Sequence, residues 1–329
     1  VRPQLAIDLG TVNTLVLAVG RGLVVDEPSA IAYDCRTGRP LAVGRAAEEL
    51  AGTEPAGVEV VHPLADGVIG DLDAATDLLT TFVGRACRRP GSIRLDAAVC
   101  IPSGATSVER KALIAAVDGV GRSHRTTVVA EPLAAALGAA GEAAPCAPRV
   151  VVDIGGGTTE IAAVTSGAVL AAVRTRSIRV AGNEMDLAVV DAVKRALGLV
   201  VSRRAGERLK MAMGLDSPEQ PVTGIDQTTS AIRSALVPPQ LMREALRPTL
   251  DKIVDAVQEL MCDLPPEVAE GVLRGGVVLT GGGALLRGLP ALLGQRVGVP
   301  VRAADDPLRC VVRGLALVLG EHVGDRSAA

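Results

Sequence analysis

Two stretches of this chain carry one design, set 145 residues apart: "AIDLGTVNTLVLAV" at 6–19 and "VVDIGGGTTEIAAV" at 151–164. Asp8 aligns with Asp153 and Gly10 with Gly155, and the gapless match runs on through Val19, Gly22 and Val24 against Val164, Gly167 and Val169. An apolar, β-branched run that ends in an acid, turns at glycine and returns as a second apolar run reads as strand, turn, strand. A chain that repeats this unit is expected to build two related halves, and 329 residues are enough to bury two moderate cores.

Short apolar runs alternate with longer amphipathic stretches around both copies, the mark of α/β architecture. Strands are expected at 4–9, 14–19, 22–26, 29–33, 96–101, 126–130, 149–154, 159–164, 168–179 and 276–280. Helices are expected near 72–88, 106–119, 132–140, 184–197, 203–213, 239–262, 287–296 and 307–320. The small-residue and proline stretch "GAAGEAAPCAPRV" (138–150) reads as the linker, which gives domains 1–143 and 144–329, the first open to a short return of the C-terminal helix. A small inserted subdomain is expected about 183–250, where "GLDSPEQPVTGIDQTTSAIRSALVPPQL" is polar and proline-rich.

Composition narrows the function classes. With one Tyr, one Phe and no Trp, the core must be built from Val, Leu, Ala and Ile. A formal charge of −3 gives no basic field, so nucleic acid is not an expected partner. Cys35, Cys87, Cys100, Cys146, Cys262 and Cys310 form no C-x-x-C pair, and Cys100 lies in the apolar "DAAVCIP", as expected of reduced thiols in a cytoplasmic protein. No apolar run approaches the length of a spanning helix and "VRPQLAIDLG" leads directly into a strand, so neither a membrane span nor a signal peptide is expected.

The chemistry sits at the turns. Glycines after a strand let backbone N–H groups point at an anion without Cβ interference, so Gly10 with Thr11 and Gly155, Gly156 and Gly157 could each form a phosphate cradle. Asp8 and Asp153, each at a strand end, are suited to hold Mg²⁺ through its water shell, while Asn13, Thr14, Thr158 and Thr159 are expected to donate to phosphate oxygens. One copy alone would read as a hairpin turn; the duplication favours a ligand. A third cluster, Gly281, Gly282 and Gly283 in "VVLTGGGALLRGLPALL", lets a base or phosphate approach bare backbone. It is not a dinucleotide fingerprint, because Leu286 stands where the last glycine of G-x-G-x-x-G belongs, and no G-x-x-x-x-G-K-[ST] exists.

Asp8 to Thr14, Asp153 to Glu160 and Thr280 to Gly283 resemble the phosphate-1, phosphate-2 and adenosine motifs of the actin-like ATPase superfamily. Within it, "IDLGTVNTLV", "VVDIGGGTTE", "LTGGGALLRGLPALL" and "DPLRCVVRG" are similar to the MreB/Mbl family of bacterial actins, and so are "DEPSAIA", "VHPLADGVIGD", "CIPSGATSVERKA" and "AEPLAAALGAA". The resemblance covers nearly the whole chain. It implies an actin-like, ribonuclease H-like duplicated fold, with ATP between two lobes and Mg²⁺ near Asp8 and Asp153. It also implies that Glu131 of "AEPLAAA" orients the attacking water and that Gly182, Asn183, Asp186, Glu207 and Lys210 lie near ribose and adenine. Two departures stand out: Ala130 replaces the first of two acids before the proline, and "RIGGD" becomes "RVAGN" with Ala181 and Asn183.

The leading expectation is a filament-forming cytoskeletal ATPase that organises cell shape and cell-wall synthesis, self-associating and working with cell-wall synthesis proteins. A membrane surface is a weaker expected partner, since the loop "GRACRRPGSIRLD" (84–96) offers mainly arginines, which favour anionic headgroups. The alternatives are a nucleotide-binding switch or scaffold that does not polymerise and, less favoured, a small-molecule kinase of the same superfamily.

Overall fold

A computed structural model describes residues 3–53, 55–87, 95–120, 123–140, 148–166 and 170–324. The arginine-rich segment 88–94, the linker core 141–147 and the repeated turn at 167–169 lie outside the described residues. The chain divides into two compact units, Val1–Ala144 with Leu308–Ala329, and Pro145–Pro307.

In the first unit five strands lie in the order Ser123–Ala130, Leu95–Ile101, Gln4–Leu9, Asn13–Ala18, Gly22–Pro28. The first three are parallel, and the last three form an antiparallel meander. In the second unit the order is Val301–Ala303, Val277–Thr280, Arg149–Ile154, Thr159–Ser166, Leu170–Ile178, with the same division into parallel and antiparallel pairs. The repeat therefore extends from a motif to a whole sheet. Register is repeated too: Asp8 faces Leu15 and Leu9 faces Thr14, as Asp153 faces Glu160 and Ile154 faces Thr159.

Alternation along the motif strands selects the core faces. Leu5, Ile7 and Leu9 pack with Leu78, Leu79 and Phe82 of the helix Leu72–Cys87. Val150, Val152 and Ile154 pack with Ile253, Val254 and Val257 of the helix Pro239–Cys262. Aliphatic residues fill both cores, and the single Phe is fully buried.

The C-terminal helix Cys310–Gly324 belongs to the first unit. It packs backbone to backbone on the helix Glu131–Ala140. A Cβ on Gly138 would lie 1.8 Å from the Cys310 carbonyl oxygen, and one on Gly314 would lie 1.9 Å from that of Ala134. Only glycine permits this approach.

Other elements emerge where short strands gave no periodic signal. Pro40–Val43 and Val58–Val61 flank Ile31–Asp34, expected at 29–33, in a small sheet of the first unit. In the second, the proline-rich segment folds as the hairpin Gln220–Asp226 with Ile232–Val237, joined by Leu199–Val200. The helix Pro266–Gly275 is likewise beyond the expected set. Among the described residues, no helix is long and apolar enough to cross a membrane.

Candidate functional site

The two glycine turns close in the same way. Gly10 N–H donates to the Asn13 carbonyl at 3.1 Å, and Gly155 N–H donates to that of Thr158 at 2.9 Å. A Cβ on Gly10 would sit 2.6 Å from the Asn13 oxygen, so this turn excludes any side chain; at Gly155 the matching distance is 3.3 Å. The hydroxyl at Thr11 accepts from Gly67 N–H at 2.8 Å. Asn13 is exposed, whereas its counterpart Thr158 is buried beside Gly156 and Gly157.

Thr14 and Thr159 turn their hydroxyls to protein partners. Both are fully buried. Thr159 Oγ1 donates to the Val180 carbonyl at 2.7 Å. Ser29 Oγ donates to the Gly10 carbonyl at 2.6 Å, so the 2.8 Å contact between Thr14 Oγ1 and Ser29 Oγ uses the Thr14 proton. Neither hydroxyl keeps a proton for phosphate; each pins the returning strand to its own copy.

The acids sit one residue before the end of their strands. Asp8 is half-buried and its Oδ1 accepts from Cys100 Sγ at 3.3 Å. Asp153 is 3% exposed and its Oδ1 accepts from Thr280 Oγ1 at 2.6 Å. A hard carboxylate of this kind suits Mg²⁺, which keeps several waters and takes one or two protein carboxylates besides phosphate oxygens.

In the second unit the remaining candidates gather around the phosphate-2 turn. Gly182 N–H donates to the Gly155 carbonyl at 3.1 Å and Asn183 N–H to that of Gly156 at 2.8 Å, which fastens the helix Gly182–Leu197 to the turn. Lys210 Nζ donates to the Gly182 carbonyl at 3.1 Å and pairs with Asp186 Oδ1 at 2.6 Å. Burial pushes the Asp186 carboxyl up, and Lys210 pulls it back down. Lys210 is thus no solvated surface charge, and Glu207 is half-buried one turn before it. Gly281 has φ +75°, and a Cβ there would meet the Ile154 carbonyl oxygen at 2.5 Å and Asp153 Oδ1 at 2.8 Å. Gly283 lies as close to Ile154, while Gly282 between them is exposed.

The family model for the MreB/Mbl protein matches residues 2–325. The chain belongs to the MreB/Mbl family. Over 321 residues it is 35% identical to the cell shape-determining protein Mbl of Bacillus subtilis (strain 168), covering 96% of this chain and 95% of that one. Over 324 residues it is 38% identical to the cell shape-determining protein MreB of Escherichia coli (strain K12), covering 94% and 91%. Among solved structures, MreB5 of Spiroplasma citri bound to ADP superposes with a TM-score of 0.91 at 31% identity, covering 100% of this chain and 99% of that one. The same protein bound to AMPPNP gives a TM-score of 0.90 at 31% identity, covering 98% of each chain. A MamK double helical filament gives 0.82 at 26% identity, covering 98% and 99%. The fold is actin-like, as the motifs implied.

In this MreB/Mbl family member Glu131 opens the helix Glu131–Ala140 directly after the strand Ser123–Ala130, half-buried and followed by the buried Pro132. A carboxylate at such a junction is held by both elements. Sequence reasoning did not single out Cys100, Thr280 and Ser29 as site partners. Each acts across a strand register that no local pattern encodes.

Proposed function

We propose that this chain binds ATP with Mg²⁺, hydrolyses it slowly and assembles into filaments that act in cell shape. The observation that carries the reading is the acid–glycine turn built twice in one register. Backbone N–H groups at Gly10–Thr14 and Gly155–Thr159 cradle phosphate oxygens. Asp8 and Asp153 hold the hydrated Mg²⁺, whose charge offsets that of the phosphates. Glu131 orients the attacking water and accepts its proton. Gly281, Gly282 and Gly283 give the base bare backbone to approach, and Gly182, Asp186, Glu207 and Lys210 shape the ribose side.

Support comes from relatives named for cell shape and from the nucleotide-bound MreB5 structures and the MamK filament. On this reading the chain works in the cytoplasm with cell-wall synthesis proteins as partners, and an electrostatic contact to anionic lipid is a weaker one. The test is titration of a fluorescent ATP analogue with and without Mg²⁺. Asp8→Ala and Asp153→Ala should each lose the affinity gained on adding Mg²⁺; wild-type gain in both variants would overturn the assignment.

A further inference from the structure

The two acids are held from equivalent positions by unlike donors. Thr280 faces Asp153 across the parallel pair of Val277–Thr280 and Arg149–Ile154. Cys100 stands opposite Asp8, one residue past the Ile7 and Val99 pair that ends the matching parallel ladder of the first unit. Partners across a ladder point to one face, so each acid meets a donor from its neighbouring strand. In the second unit the donor is a hydroxyl at 2.6 Å, and in the first it is a thiol at 3.3 Å. An O–H donor to a carboxylate is strong, whereas S–H is weak.

The surroundings differ in the same sense. On its other side Asp153 faces Glu160, fully buried, and Ser177 Oγ donates to that carboxyl from the next strand. Thr280 and Ser177 therefore hold two neighbouring carboxyls from opposite flanks. Gly281 lies close beside them, since any Cβ would press on Asp153 Oδ1. Asp8 has Leu15 in the place of Glu160 and is less buried.

We propose that Thr280 and Cys100 are positioning residues of the two acids, the hydroxyl orienting Asp153 more strongly than the thiol orients Asp8. The proposal rests on the ATP–Mg²⁺ reading above. It assigns to the hydroxyl of Thr280 the orientation of Asp153 toward the cation, a role that threonine's size alone would not supply.

The experiment uses the full chain and a fluorescent ATP analogue, titrated with Mg²⁺ and with EDTA, with thermal unfolding recorded for each variant. Thr280→Val removes the donor and keeps the shape; it should reduce the affinity in Mg²⁺ on the order of tenfold more than it reduces the affinity in EDTA. Thr280→Ser should restore affinity to within about twofold of wild type. Cys100→Ala should cost about threefold or less, and Cys100→Ser should match or exceed wild type. Wild-type Mg²⁺ dependence in a folded Thr280→Val would overturn the proposal while leaving ATP binding intact. If Thr280→Val does not fold, Thr280→Cys decides: weaker Mg²⁺-dependent binding than Thr280→Ser supports the proposal, and equal binding overturns it. A wild type that binds no ATP analogue under either condition would overturn the functional reading, and this proposal with it.

Discussion

Lys210 ties a buried charge to stability. Its ammonium is mostly covered, pairs with the buried Asp186 and caps the Gly182 carbonyl at the turn of the phosphate-2 motif. Lys210→Ala leaves a buried carboxyl without compensation and should cost about 3 kcal/mol. The sign with pH follows from the Asp186 shift, which is upward from burial and which Lys210 opposes. Without Lys210 the folded-state value rises further, so the variant binds a proton more readily folded than unfolded. Its stability should be greatest below the ordinary carboxylate range and fall as pH rises through the raised value. Melting curves from pH 4 to pH 8 check this: the deficit against wild type should widen with pH. At Glu131 the expected effect is on turnover. Glu131→Ala should bind ATP as wild type does and release phosphate on the order of a hundredfold more slowly, measured in a phosphate-release assay.

Packing at the level of elements explains why the C-terminal helix joins the first unit. Gly314 lies against the Ala134 backbone, whereas Gly320 on the same helix has no heavy atom within 4 Å of a built Cβ. Gly314→Ala should therefore destabilise by about 2 kcal/mol through overpacking, while Gly320→Ala should stabilise by up to about 1 kcal/mol through helix propensity. Thermal unfolding of the two variants should move Tm in opposite directions. The hairpin of the second unit is fixed by Asp226, whose carboxyl accepts from Thr228 and Thr229 N–H and from Arg233 Nε. The Arg233 bond, with these backbone donors, holds that carboxyl below the usual range. What it contributes is present above the ordinary carboxylate pKa and is lost as pH falls toward the depressed value. The Tm difference between wild type and Asp226→Asn should accordingly shrink between pH 7 and pH 3. The motif strands and long helices were legible because acid, glycine and apolar period are local signals. Pro40–Val43 and Val58–Val61 are too short to carry a period. The partners of the Thr14 and Thr159 hydroxyls are not legible because tertiary placement fixes them: Ser29 on another segment for Thr14, and the Val180 backbone for Thr159. The Cys100 and Thr280 tethers span 92 and 127 residues of sequence, beyond the reach of any local reading.

For the molecule as a whole, duplication is the organising fact. One sheet topology, one hairpin register and one acid–glycine turn recur in both units. One solved neighbour of the same fold, MamK, is a double helical filament. ATP and ADP differ by a γ-phosphate, so a nucleotide can bias a chain toward an assembling state only to the extent that it binds that state better. Head-to-tail contacts that do not close give open filaments with a critical concentration instead of a fixed oligomer. The central claim is tested most directly by sedimentation across a range of protein concentration with ATP–Mg²⁺, with ADP–Mg²⁺ and without nucleotide. The account predicts a pellet with ATP–Mg²⁺ that grows linearly above a threshold concentration, and a higher threshold with ADP–Mg²⁺. A chain that binds ATP yet stays in the supernatant as a monomer at every concentration would contradict it.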